Sequence, residues 1–194
     1  MPTSPSPLGR LRPSQPRLVP ISEISDEVAD TLGNGINSPS GSPLNIFTTI
    51  AHHPKLLKRF MTFAGFFLNK GTLPAREREV VILRVGWNCQ SVYEFGQHTI
   101  IGKRVGLTMD EISALTKHID AGRWNLKDQT LIAMCDELCS DDCVSEATWQ
   151  ILQTQWNETE LVELVMVAGT YRLVSGFLNT MGVELDADTP AWPK

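Results

Sequence analysis

The residues of this sequence most able to do chemistry form one polar cluster within positions 76–98, inside an otherwise apolar region. Ser91, Glu94 and His98 occupy positions i, i+3 and i+7 of a predicted helix, so at ~100° per residue they share one face. Glu94 and His98 are also an i, i+4 pair, close enough to hydrogen-bond. Glu79 lies on the preceding predicted helix. A carboxylate beside an imidazole fixes its tautomer and raises its basicity, so the cluster predicts an acid–base pair.

Helices are predicted for the two elements that must position these groups. Pro74 and the apolar spacing after the charged run predict a helix over about 74–88. A second helix is predicted over about 91–104, closed by Gly106. If the two helices pack as a hairpin, the acidic groups and the imidazole come together.

The rest of the chain is also predicted to be helical, with about eight helices in all joined by short loops. Capping residues and apolar stripes predict the further helices over 21–32, 45–51, 54–69, 108–118, 128–140, from 145 onward and over 157–181. Residues 33–43, rich in Gly, Pro and Ser, are predicted to be a loop. Since no strand and no nucleotide-binding glycine pattern is found, the predicted fold class is all-α.

The segment around the polar cluster resembles the carboxymuconolactone decarboxylase family, which includes the alkylhydroperoxidase D-like proteins. The resemblance is carried by residues 73–79, 82–84 and 93–95 and by His98. It extends to 45–47, 51–54, 136–138, Trp149, Gly169, Tyr171, 178–179 and 181–183, and covers roughly residues 40–185. The resemblance implies an alkylhydroperoxidase D-like helical domain, predicted over residues 21–185.

The family's redox branch uses a CxxC pair four residues before a histidine, with a glutamate on the preceding helix. Aligned on His98, the two cysteine positions fall on Ser91 and Glu94, the glutamate on Glu79 and a proton-relay position on Tyr93. The resemblance therefore implies a non-redox member, with the acid–base residues present and the dithiol absent. Because thiol peroxidase chemistry requires a thiolate and a resolving thiol, no thiol-dependent peroxidase activity is expected.

The non-redox branch implies a cofactor-independent acid–base enzyme that acts on a small organic acid or lactone. Loss of carbon dioxide leaves a carbanion or dienolate, which needs an acid to reprotonate it and a donor to hold its charge. The predicted catalytic residues are Glu79, His98, Glu94 and Tyr93, and the predicted substrate-binding residues are Arg84, Trp87 and Ser91. Glu94 either holds the imidazole or is itself the base. The same groups would serve an isomerisation or a lactone opening, and no metal or cofactor is expected.

Structural interpretations stay open for the same residues. A Glu–His pair at helical spacing is more often an ion pair than a catalytic dyad, so a catalytically silent or binding protein is the alternative, with a peroxidase-type oxidoreductase less favoured. Trp87 is equally explained as a core residue. Cys135, Cys139 and Cys143 recur every fourth residue, but Cys143 falls in a predicted turn and no histidine lies nearby. Cys135 and Cys139 are therefore interpreted as small core or half-buried side chains rather than as part of a metal site. An open cavity around His98 would favour the enzyme.

Length and charge limit the classes of function. The chain has 194 residues, a net charge of -5 and a pI of about 5.4, so we expect one domain that binds neither nucleic acid nor an anionic membrane.

No apolar run reaches the ~18 residues of a membrane helix, and no signal-peptide core is found, so a cytoplasmic location is predicted. Residues 1–20 hold six of the twelve prolines and are predicted to be a disordered tail, and 186–194 a C-terminal tail. The resemblance and surplus apolar surface predict self-association into a homo-oligomer.

Overall fold

The chain forms a helical domain preceded by a short hairpin, in a computed structural model that describes residues 3–33 and 41–193. The helices within those residues are α1 Asp26–Leu32, α2 Asn45–Ile50, α3 Pro54–Asn69, α4 Ala75–Asn88, α5 Val92–Arg104, α6 Met109–Ala114, α7 Leu126–Asp141, α8 Glu146–Gln155 and α9 Glu158–Met181. A 3-10 turn lies at Ile119–Ala121, and the two strands are β1 Thr3–Pro5 and β2 Leu11–Pro13. The predicted all-α class is confirmed.

The central helix of the domain is α4. Residues 80–83 and Val85 are 0% exposed, so this helix is buried on more than one side. It packs against α5 as the predicted hairpin, and α7 and α9 cover its other faces. Gln90 adopts a φ of 52°, which reverses the chain between the two arms. The two arms come close at Gly86, where a Cβ would be in van der Waals contact with the backbone nitrogen of Phe95, 3.5 Å away.

Local capping signals mark the ends of several other helices. α6 begins with a capping box between Thr108 and Glu111, and α9 with a second one between Asn157 and Glu160. α9 ends at Gly182, whose φ of 68° lies in the left-handed region. Because each capping partner is three residues from its cap, these boundaries could be predicted from the sequence.

A second apolar cluster lies between α1, α2, α3 and the C-terminal half of α9. Leu57 of α3 and Leu178 of α9 are buried in it, at 0% and 2% exposure. The phenylalanines of α3 are not all buried. Phe67 is 4% exposed, whereas Phe63 and Phe66 are 47% and 45% exposed.

The N-terminal segment described from residue 3 onward lies against the helices, where the sequence predicts a disordered tail. β1 and β2 pair antiparallel, and the Arg12 guanidinium donates to the carbonyl of Cys89 at 2.8 Å and to that of Gln90 at 3.3 Å. Carbonyls after the end of α4 have no helical partner, and Arg12 satisfies two of them. The backbone N–H of Arg17 donates to the carbonyl of Met181 at 2.7 Å.

The predicted C-terminal tail likewise packs on the domain. Trp192 stacks edge-on against Trp87, with ring centroids 5.2 Å apart, and tilts against Phe95 at 5.1 Å. The predicted loop at 33–43 lies largely outside the described residues.

α9 is the one helix among the described residues long and apolar enough to cross a membrane, with a mean hydropathy of 1.5 over its best window. By length and composition, α9 therefore contradicts the expectation that no segment is long and apolar enough to form a membrane helix. Of that window, 56% is buried inside the domain, where Leu164, Val167 and Ala168 pack in the main core. α9 is therefore packed as a core helix of the domain.

Candidate active site

A buried chain of charged side chains joins α4 to α5. His98 Nδ1 lies 2.6 Å from Glu79 Oε2, and His98 Nε2 lies 3.0 Å from Glu94 Oε1. All three residues are buried: His98 is 5% exposed, Glu79 0% and Glu94 4%. Both glutamates therefore bind the imidazole, one through each ring nitrogen, which answers the question that the helical spacing left open.

Arg78 extends this chain at its inner end. Its Nε donates to Glu79 Oε1 at 3.2 Å, and its Nη1 donates to the carbonyl of Phe67 at 3.2 Å. Arg78 is itself 8% exposed. With His98 protonated, the four groups alternate in sign and sum to zero charge, the arrangement that makes a buried ionic cluster tolerable.

Charge and hydrogen bonding determine the protonation state of His98. Burial alone lowers its pKa, because it penalises the charged form. The charge and hydrogen bond of Glu79, followed by those of Glu94, outweigh burial and raise the pKa of His98 to about 10. At neutral pH the residue is therefore an imidazolium that donates from both nitrogens.

Tyr171 of α9 forms a wall of the site. Its ring packs edge-on against His98 with centroids 4.9 Å apart. Burial, and then the charges of Glu94 and Glu79, raise the pKa of Tyr171 well above its usual value. Its hydroxyl forms no hydrogen bond to a residue that the structure describes. Tyr171 is thus a neutral donor beside the imidazolium, and the sequence singled it out only as one of many positions of the family resemblance.

His98 and Glu94 face a cavity of about 160 Å³ between α2, α3, α5 and α9. Its lining is mostly apolar and consists of Leu44, Ile46, Phe47, Phe60, Met61, Ala64, Gly65, Leu68, Asn69, Tyr93, Glu94, Gln97, His98, Ile101, Tyr171 and Val174. Glu79 is not among these residues, so it lies behind the imidazole. Among the residues that the structure describes, no lysine or arginine lines the cavity. Apolar walls with a few convergent polar groups are typical of small-molecule sites.

Tyr93 lines the cavity but has its hydroxyl engaged elsewhere. The hydroxyl donates to Asp186 Oδ2 and accepts from the backbone N–H of Ile46 at 3.2 Å. Asp186 also accepts from Asn45 N at 2.8 Å and from Gln97 Nε2 at 2.9 Å. Burial and the Asp186 hydrogen bond raise the pKa of Tyr93 well above its usual value. Tyr93 is therefore held in the wall, a role that sequence reasoning missed because it treated Asp186 as tail.

The three predicted substrate-binding residues do not line this cavity. Arg84 makes a double hydrogen bond to Asp136, 2.7 Å at each oxygen, and donates to the carbonyls of Leu115 at 2.8 Å and Lys117 at 2.7 Å. Arg84 thus joins α4 to α7 and to the end of α6. Trp87 packs on the C-terminal Trp192, as described above.

Ser91 is 0% exposed, and its hydroxyl has no hydrogen-bond partner within the described part of the chain. It stands at the N-cap of α5 without making a capping bond, so it does not join Glu94 and His98 at the cavity. Within the described ranges, no group of three or more His, Cys, Asp or Glu side chains is arranged to hold a metal ion.

Comparison with known proteins shows that the fold is shared with solved structures. No curated protein matches the sequence. Three solved structures share the fold at 11–17% identity, too low to show more than the fold. An alkylhydroperoxidase AhpD core, an uncharacterized peroxidase-related protein from Ralstonia eutropha, has a TM-score of 0.76 at 17% identity over 87% of this chain and 92% of that one.

The second is an uncharacterized peroxidase-related protein from Silicibacter sp., with a TM-score of 0.75 at 12% identity over 91% of this chain and 96% of that one. The third is a variant of the debrominase Bmp8 in complex with 2,3,4-tribromopyrrole. It has a TM-score of 0.71 at 11% identity, over 90% of this chain and 94% of that one. Residues 54–125, which contain Glu79, Glu94 and His98, match the profile of the Carboxymuconolactone decarboxylase family. Residues 54–125 therefore match the Carboxymuconolactone decarboxylase family, and the fold of the chain is similar to that of AhpD-like proteins.

Proposed function

We propose that this protein is a cofactor-independent acid–base enzyme that moves a proton on a small lactone or a related organic carbonyl compound. The observation that carries the proposal is the Glu79–His98–Glu94 chain, which is buried yet opens onto an apolar cavity. A purely structural ion pair gains nothing from an adjoining cavity. A proton-transfer site needs one, because the substrate must lie against the base in a place without water.

In this mechanism Glu94 is the base. It lines the cavity, and its carboxylate has one hydrogen bond, from His98 Nε2. Glu94 takes a proton from a carbon beside the substrate carbonyl, and the resulting negative charge moves onto the carbonyl oxygen. Tyr171, whose hydroxyl is free to donate to a ligand, stabilises that oxygen. Glu94 then returns the proton to a different carbon, which completes an isomerisation without any other reactant.

His98 and Glu79 hold the base in place. The imidazolium neutralises much of the charge of Glu94, and Glu79 keeps the imidazolium protonated from behind. Their arrangement supports a carboxylate base at neutral pH rather than a neutral histidine base. The histidine, which the sequence suggested as the proton carrier, is in this account a positioning residue.

The cavity favours a neutral substrate over a free organic acid. Its described lining contains no arginine or lysine, and Arg84, the predicted partner of a substrate carboxylate, is bound to Asp136. A carboxylate in the cavity would lie beside Glu94 without a cation of its own. The volume of about 160 Å³ is below the ~300–1,000 Å³ of sites for drug-sized ligands, so a small ring compound fits it best.

One observation supports a second candidate function, a catalytically silent or binding protein. Both nitrogens of His98 are hydrogen-bonded to carboxylates, so no ring nitrogen is left for a substrate. In that case the network only fixes the wall of a ligand cavity. The two candidates differ in whether Glu94 reacts with what enters.

A screen of small lactones and keto esters, with product identification by mass spectrometry and proton exchange from D₂O by NMR, tests the proposal. We expect Glu94→Gln to lower turnover or exchange by about 10²–10⁴, the usual contribution of a general base. The matched control is Glu163→Gln, since Glu163 is also buried, at 5% exposure, but binds Thr72 away from the cavity. If ligands bind but neither exchange nor product depends on Glu94, the binding protein is the better account.

A further inference from the structure

Gln97 is a polar residue of the cavity lining that the proposed mechanism does not use. Glu94, Gln97, His98 and Ile101 are positions i, i+3, i+4 and i+7 of α5, and all four line the cavity. They therefore form one face of the helix. At ~1.5 Å per residue, Gln97 lies about 4.5 Å along the helix axis from Glu94. A small ring that lies against the proposed base is therefore also beside the Gln97 amide.

The C-terminal segment determines how this amide is oriented. Gln97 Nε2 donates to Asp186 Oδ2 at 2.9 Å and to Thr189 Oγ1 at 3.0 Å. An ionised carboxylate only accepts hydrogen bonds, so the NH₂ end of the amide, and not its carbonyl end, must face Asp186. The opposite orientation would place an amide oxygen against a carboxylate oxygen. The carbonyl end of Gln97 is therefore the end left for a ligand.

The segment that carries these two partners is itself packed on α5. The backbone N–H of Thr189 donates to the carbonyl of Asp186 at 3.1 Å, which closes a turn. Gly96 of α5 leaves no room for a Cβ, because the carbonyl of Pro190 lies directly against it. Trp192 continues the contact with the same helix. The orientation of the amide is thus built into the folded domain.

The carbonyl oxygen of Gln97 is an acceptor without a partner in the described part of the chain, since both printed bonds of this side chain use its nitrogen. Gln97 is half-buried, whereas Asn69, the other amide of the lining, is exposed and can be solvated. A ligand that covers the Gln97 oxygen without donating to it removes water from an acceptor and replaces nothing. That loss weakens binding, so the oxygen favours ligands that carry a donor.

We propose that Gln97 makes the cavity selective for neutral ring compounds that carry an N–H or O–H donor beside the carbonyl group, such as lactams and hydroxylated lactones. The proposal rests on the proposed function, because it places the ligand carbonyl at Tyr171 and the acidic C–H at Glu94. Gln97 adds one acceptor to that donor and that base. It is a specificity-determining residue and takes no part in the proton transfer.

Three five-membered rings test the proposal by binding to the full-length protein, followed by NMR titration. 2-Pyrrolidinone carries a carbonyl and an N–H, γ-butyrolactone has a ring oxygen in place of the N–H, and N-methyl-2-pyrrolidinone keeps the lactam carbonyl without the donor. We expect 2-pyrrolidinone to bind about tenfold more tightly than either of the others, the usual effect of one hydrogen bond. The methylated ring separates the donor from the stronger carbonyl of a lactam without any change to the protein.

Gln97→Met keeps the length of the side chain but removes the acceptor, so the tenfold preference should disappear in this variant. Gln129→Met is the matched control, since Gln129 donates to the carbonyl of Trp124 at 3.0 Å and does not line the cavity. It should keep the preference, and circular dichroism checks the fold of both variants.

Equal binding of the three rings by the wild-type protein, a preference that survives in folded Gln97→Met, or no binding of any ring would overturn the proposal. Proton exchange that depends on Glu94 is measured separately from these affinities. If that exchange is found without a preference among the rings, the selectivity of Gln97 is wrong and the proposed function stands.

Discussion

Replacing Glu79 with glutamine tests whether the buried network holds a charged imidazole. Glu79 is 0% exposed, and its two oxygens bind His98 at 2.6 Å and Arg78 at 3.2 Å. Glutamine keeps the size of the side chain but removes its charge. His98 is then left with Glu94 as its carboxylate, and Arg78 with the carbonyl of Phe67. The substitution therefore separates the effect of charge from the effect of packing.

The expected magnitude follows from the proton affinity of His98. Its pKa is about 10 in the folded protein and 6.5 ordinarily. Since a tenfold change in proton affinity is worth ~1.4 kcal/mol, the interactions of the imidazolium contribute on the order of 5 kcal/mol below pH 6.5 and about 4 kcal/mol at pH 7. Removing one partner of a buried ion pair costs ~3–5 kcal/mol, and we expect a loss of that size in the free energy of unfolding at pH 7. Against a typical total of ~5–15 kcal/mol, much of the protein stays folded.

The pH dependence has a definite sign. The folded state binds the His98 proton more tightly than the unfolded state, so the stabilisation is fully present below the unfolded pKa of 6.5 and is lost as the pH rises through about 10. The difference in the free energy of unfolding between wild type and Glu79→Gln should therefore be smaller above pH 10 than at pH 7. It should not vanish, because Arg78 still pairs with Glu79 in the wild type.

Urea unfolding followed by circular dichroism gives the stability at each pH, and NMR titration of the imidazole gives the pKa of His98, with His98→Gln for assignment. Glu163→Gln is the matched control, since it also removes a buried carboxylate but one that binds no histidine. Its effect on stability should be the same at both ends of the pH range. The reasoning is refuted if His98 of the wild type titrates near 6.5, or if Glu79→Gln changes the stability by less than about 0.5 kcal/mol.

Three further predictions concern residues at and beyond the cavity. Arg84→Met should lower the free energy of unfolding in urea by about 1–3 kcal/mol, because the buried carbonyl of Leu115 loses its donor, whereas Asp136 is 40% exposed and can be solvated. The NMR titration of His98 should stay unchanged, and a shifted titration would show that Arg84 acts on the site. Tyr171→Phe should leave stability within about 0.5 kcal/mol but lower turnover on an identified substrate by about 10²–10³, and unchanged turnover would remove Tyr171 as the oxyanion donor. Light scattering should give a multiple of 21.5 kDa, and the mass of a single chain would count against self-association.

The helices and the meeting of Glu94 with His98 could be predicted because the signals are local. Capping boxes such as the one between Thr108 and Glu111 act over three residues, and an i, i+4 pair is determined once the segment is helical. The approach of Glu79 needed one more step, the packing of two adjacent helices as a hairpin. A short connection between amphipathic helices leaves little choice in that packing.

The state of each group in the site depends on residues far away in the chain. The hydroxyl of Tyr93 is engaged by Asp186, which lies 93 positions later. The availability of Tyr171, and the loss of Arg84 to Asp136, likewise follow from how α9 and α7 cover the central hairpin.

A helical pattern shows which side chains share a face, but it does not show which partner satisfies each polar atom. That choice is made when distant elements pack, because every buried donor and acceptor must then find a partner in the protein. The sequence alone therefore determined the fold class and the acid–base cluster. The tertiary structure decided which of these groups face the cavity and which are held in its wall.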